Sequence, residues 1–149
     1  MDVYRTYKLP DTTPTQPPAG ITPTRYDAEA GAITDARVVQ DPSASGGAKV
    51  GGLDHPDSFV TITVTRAHAG QALIGIRYGN GSLDNSGYAV SSTDTVSVNG
   101  RQRADVVFPN TTWDNWSTRY YPVRLPAGTS TITFTKLTFY TELDAFDVY

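Results

Sequence analysis

The chain has 149 residues, no cysteine and a formal net charge of −3, a length that suits one domain plus a tail. Without cysteine there is no disulfide framework and no thiolate metal site, and the acidic balance argues against a nucleic-acid partner, which calls for a basic face. No apolar run approaches the ~18 residues that span a membrane, and none follows Met1 as a leader, as expected of a secreted parent that has lost it or of an excised piece.

Helix periodicity is missing, while Thr, Val, Gly, Ser and Tyr abound, so the chain reads as all-β. Val3, Arg5 and Tyr7 alternate and suit a short edge strand. Leu9 to Gly20 is a Pro/Thr-rich linker, because repeated proline removes donors and favours an extended, solvated chain. Residues 1–24 are therefore expected to be a tail and linker, and residues 25–149 the module. Strands are expected at Arg25–Ala30, Ala36–Gln40, Ala48–Leu53 and Ser58–Thr65. The last is the clearest, with Val60, Ile62 and Val64 on one face and mostly Thr on the other. Further strands follow at Gln71–Tyr78, Thr93–Val98, Ala104–Phe108, Thr118–Leu125, Ser130–Lys136 and Leu143–Tyr149, with Asn99-Gly100 as a hairpin signal. Roughly nine or ten short strands with frequent turns indicate a two-sheet sandwich.

Asn110 to Ser117 departs from this pattern. It holds both tryptophans, Trp113 and Trp116, among small polar residues after Pro109. Asp and Asn are depleted from strands and alternation is absent, so it reads as a loop. An indole at a loop tip gains from leaving water, so either a ligand stacks on it or it folds back on the core.

Other chemistry is sparse. His55 and His68 sit in turns, with no nucleophile elbow and no third group to orient a base. A small sandwich leaves little depth for the cleft that a carboxylate pair needs to act on a glycoside. Asp27 and Glu29 lie two apart and share one side of a strand. If the first and last strands are close, they converge with Asp144 and the Ser45–Gly47 turn on a hard cation, calcium by its oxygen-only ligands; the alternative is a solvated acidic edge.

Several short stretches, in order, resemble carbohydrate-binding module family 35, related to family 6. They are Tyr26 to Ala30, Ser45 to Gly51, Ile76 to Gly81, Ser97 to Gly100, Trp113 to Thr118, Leu125 to Gly128 and Leu143 to Phe146. The resemblance implies a β-jelly-roll sandwich, non-catalytic, monomeric and extracellular, covalently linked to a glycoside-active enzyme and binding polysaccharide or oligosaccharide. It implies a structural calcium on Asp27, Glu29 and Asp144 with Ser45 and Gly47, and a sugar stacked on Trp113, with Trp116 in the core. Asn80, Asn85, Asp54, Asn115 and Glu142 are the expected polar contacts. Glu142 stands where relatives often carry Asn, and its charge would repel a uronate, so neutral sugars are expected. The alternatives are a sandwich packed on a catalytic domain and a small polysaccharide-active enzyme.

Overall fold

The computed structural model describes residues 16–149; the expected edge strand at residues 1–8 and most of the linker lie outside the described residues. Among the described residues, eleven strands form two antiparallel sheets. They are β1 (Thr24–Asp27), β2 (Ala32–Thr34), β3 (Arg37–Gln40), β4 (Ala48–Gly51), β5 (Phe59–Arg66), β6 (Gly70–Asn80), β7 (Ser92–Val98), β8 (Arg101–Phe108), β9 (Thr112–Leu125), β10 (Gly128–Thr138) and β11 (Glu142–Val148).

One sheet runs β3-β4-β11-β6-β9, with β1 also paired to β11; the other runs β2-β5-β10-β7-β8. The all-β jelly-roll sandwich expected from the sequence is the architecture found. Alternation explains the layering, since Val60, Ile62 and Val64 of β5 and Ile74, Ile76 and Tyr78 of β6 all turn into the common core. Phe134 of β10 stacks on Phe146 of β11 with centroids 4.5 Å apart, and Tyr78 of β6 meets Phe108 of β8 at 4.7 Å. Each such fully buried ring contributes about 1.5–3 kcal/mol, so these two pairs fasten one sheet to the other.

The hairpin signal at Asn99-Gly100 is realised with both residues at positive φ (50° and 81°) between β7 and β8, as a turn matching the strand twist requires. Two expectations need correcting. The first strand stops at Asp27, and Ala28–Ala30 is a single 3-10 turn, so Asp27 and Glu29 do not share a strand face. The second concerns the tryptophan stretch. It belongs to a strand of fourteen residues, because β6 offers a full-length partner from Gly70 to Asn80. The irregularity expected there survives as a bulge. Tyr78 pairs with Ser117 and Asn80 with Thr112, so β9 carries extra residues, Trp113 to Trp116, against a short piece of β6.

Candidate functional site

The bulge is tied down at its entry. The Asn80 amide donates to Thr111 Oγ1 (3.0 Å), the Thr111 amide to the Asn80 carbonyl (2.8 Å), and the Thr112 amide to Asn110 Oδ1 (3.0 Å). Thr112 takes a left-handed φ of 65°, unusual for a β-branched residue. Trp113 follows it and is 41% exposed. Its indole lies against Gly81, where a Cβ would run into the ring. The same ring lines a cavity of about 190 Å³ together with Tyr140, Thr141, Glu142, Asp54 and Arg37. Tyr140 is also preceded by a left-handed residue, Phe139 at φ 52°. The Ser82 hydroxyl accepts from its amide and contacts its carbonyl (both 3.0 Å).

The polar members carry charges of both signs. Glu142 Oε1 accepts from Lys49 Nζ at 2.9 Å, and the same ammonium lies 3.1 Å from Asp41 Oδ2. Burial works against the Lys49 charge, but the two carboxylates outweigh it and its pKa is raised. Asp41 is drawn down to about 2 by the Ser43 hydroxyl and amide and by Lys49. Glu142 therefore enters the cavity with its counter-charge in place. Arg37 lies flat on Gly52, where a side chain would collide with the guanidinium.

Behind this rim, the Ser45–Gly47 turn gathers the other acids. Ser45 Oγ donates to Asp27 Oδ1 (2.7 Å) and the Ser45 amide to Asp144 Oδ1 (2.8 Å). A Cβ on Gly46 would sit 3.0 Å from Asp27 Oδ2 and 3.1 Å from Glu29 Oε2, so only glycine at φ 67° lets the turn approach both carboxylates. Asp144 is fully buried and its other oxygen pairs with Arg77. Glu29 Oε1 is buried without a partner. Burial pushes the Glu29 pKa up, and Asp27 and Asp144 push it further, against a bond from its own backbone amide. The donor set is oxygen-only and holds one orphaned carboxylate oxygen, which suits a hard cation. Among the described residues, however, no three acidic or imidazole side chains stand ready around a single point, because Asp144 is engaged by Arg77 and Ser45.

No protein-family model matches the chain, and a search of curated proteins finds no match. Solved structures do match. A family 35 carbohydrate-binding module from Clostridium thermocellum superposes with a TM-score of 0.76 at 27% identity, covering 84% of this chain and 97% of that one. A second family 35 structure from Clostridium thermocellum gives 0.77 at 20% identity, covering 87% and 98%. The Podospora anserina β-(1,4)-mannanase that carries a family 35 module gives 0.71 at 22% identity; 85% of this chain matches, spanning 27% of that enzyme. The chain is thus similar in structure to family 35 carbohydrate-binding modules. Two of these matches span nearly the whole of a carbohydrate-binding module, so the fold of this chain is the fold of a complete module of that kind.

Within the module, Trp113, Asp54 and Glu142 come together as the sequence suggests. Asn80 does not join them. It is fully buried, its amide nitrogen donates to the carbonyls of Val90 and Phe108 (3.0 Å each) and its oxygen accepts from Ser82 (2.8 Å). It clasps the end of β6 and has no free group for a ligand. Asn115 is exposed and donates to Thr112 Oγ1 (2.7 Å), bracing the bulge. Asn85 is exposed in the turn closed by Asp84 and Tyr88, and does not line the cavity. Trp116 is not in the core. Its Nε1 donates to Ser43 Oγ (3.0 Å), and Arg77 and Lys49 lie over the ring at 5.2 and 5.8 Å. Arg37, Tyr140 and Thr141 were not foreseen. Only the adjacency of Tyr140 and Thr141 to Glu142 hinted at them; nothing local links Arg37 to a tryptophan 76 positions later.

Proposed function

We propose that the module binds a neutral pyranose of a polysaccharide in the cavity between Trp113 and Tyr140. The observation that carries this reading is an indole left 41% exposed beside a second aromatic and a set of charged groups of both signs. A sugar ring offers apolar C–H faces for the indole and hydroxyl pairs for the rim, so dispersion and hydrogen bonds act on it together. Asp54 and Glu142 accept from hydroxyls and Arg37 donates. The cavity is smaller than the ~300–1,000 Å³ that encloses a drug-sized ligand, which fits one ring and an affinity on the order of micromolar to millimolar. The module then raises the local concentration of a covalently linked, secreted glycoside-active enzyme on its substrate, without chemistry of its own. Calcium held by Asp27, Glu29, Asp144 and the Ser45–Gly47 turn supplies the charge that Glu29 Oε1 lacks and fixes the turn that Lys49 and Glu142 border. An isolated glycan array tests the reading. Trp113→Ala should lose retention by about thirtyfold or more, the scale of an interface hot spot, while the unfolding midpoint stays nearly the same. Loss of the fold in that variant, or sugar binding undiminished, overturns it. A chelator should lower the unfolding midpoint through linkage; an unchanged midpoint removes the calcium.

A further inference from the structure

The cavity at Trp113 does not end at Arg37. A second cavity, about 330 Å³, adjoins it and shares Arg37, Gly52 and Asp54, adding Asp35, Ala36 and His55. Both lie along one end of the six-stranded sheet, whose order from β9 through β6, β11 and β4 to β3 places Trp113, Glu142, Gly52 and Arg37 in sequence across it. Four strand spacings of ~4.8 Å make this edge roughly 19 Å long, several times the width of one pyranose ring. The floor is low because Gly81 and Gly52 lack side chains at the points where the Trp113 indole and the Arg37 guanidinium lie down.

Backbone strain gathers along the same line. Four non-glycine residues among those described have positive φ, and one of them, Asn99, is accounted for by its hairpin turn. The other three are Asp35 (φ 50°) in the second cavity, Thr112 beside Trp113, and Phe139 beside Tyr140. Left-handed residues of this kind cluster where a surface is held ready for a ligand. The second cavity is also braced. Buried Ser58 donates its hydroxyl to the Asp35 carbonyl (2.6 Å) and accepts from the His55 amide (3.1 Å), and the Ser58 amide donates to the His55 carbonyl (2.9 Å). One side chain thus pins both walls. The His55 imidazole stands 3.4 Å from Asp54 Oδ1 and is well exposed. This cavity has no Phe, Tyr or Trp in its lining and is walled by polar and charged side chains, so it is suited to orienting hydroxyls.

We propose that the module grips a run of consecutive sugar units laid across the sheet end, with one ring at Trp113 and the next seated over Arg37 in the Asp35–His55 cavity. The ligand class is therefore an internal stretch of a neutral polysaccharide and not a lone terminal residue. This rests on the sugar reading of the Trp113 cavity. The test is an NMR titration of the isotope-labelled module with linear gluco-, manno-, xylo- and galacto-oligosaccharides from mono- to pentasaccharide. A monosaccharide should shift the Trp113 indole and Tyr140 and leave the amides of Ala36 and His55 in place. Longer members of the binding series should also shift the amides of Ala36 and His55 and bind about tenfold tighter, the scale of one or two added hydrogen bonds. His55→Ala should erase that gain and leave monosaccharide affinity and the unfolding midpoint as they were. Equal affinity at every length, or longer sugars that shift Leu83 and Phe139 while Ala36 and His55 stay still, overturns the proposal and leaves the Trp113 site intact. If no saccharide shifts Trp113, the sugar reading itself falls, and this proposal with it.

Discussion

The two tryptophans of β9 stand three residues apart on one bulge and live in opposite surroundings. Trp116 is held: a hydrogen bond to Ser43 and two cations over its ring join it to Arg77 and Lys49, and through them to Asp144, Asp41 and Glu142. Trp113 is open: it rests on a glycine and lines a cavity with 41% of its surface exposed. Equal residues in equal sequence context thus divide into a held ring and an open one. The difference lies in whether the neighbouring strands offer partners or leave a gap.

The comparison can be broken most sharply at Asp144, the buried end of the Trp116 network. Asp144→Ala leaves Arg77 and the Ser45 amide without their acceptor, and should destabilise the fold by on the order of 3 kcal/mol, read from denaturant unfolding. An unchanged midpoint would mean that the network around Trp116 does not hold the fold.

Asp94 of β7 offers the counter-example, a buried carboxylate with no such partner. Its Oδ2 makes no hydrogen bond, and burial raises its pKa to about 8, with Lys136 only partly opposing. Because the folded-state value lies above the unfolded value of ~3.9, the stability tied to its protonated form is fully present below about pH 4. It is lost as pH rises through about 8, amounting to a few kcal/mol. Asp94→Asn should flatten the pH dependence of the unfolding midpoint over that window. A wild-type midpoint that rises between pH 4 and 8 and is untouched by the substitution would show that Asp94 is not the titrating group.

The smallest effect is expected at Trp116 itself. Trp116→Ala removes exposed cation–π contacts worth about 0.5–1 kcal/mol each and one hydrogen bond. The unfolding free energy should fall by about 1–2 kcal/mol while sugar retention persists. Loss of retention with stability intact would exchange the roles of the two rings.

Much of this was readable in the chain. Alternation in Phe59–Arg66 and Gln71–Tyr78 and the Asn99-Gly100 turn depend only on near neighbours, so the sandwich and its core face followed from them. Asp27, Glu29, Ser45 and Asp144 were legible as a cluster through the resemblance of short stretches, though not the 3-10 turn that moves Glu29 off the strand. Trp113, Asp54 and Glu142 were expected together and line one cavity. What only the folded chain decided was pairing across distance. The length of β6 turned the tryptophan stretch into a bulged strand, and the order of β9, β11, β4 and β3 set Arg37 and Tyr140 beside Trp113. Burial removed Asn80 from the surface, and Lys49 matched the charge of Glu142. Local sequence specifies period and turn, because these are short-range steric preferences; which side chains share a cavity is set by strand order and register, and these arise only when the whole core closes.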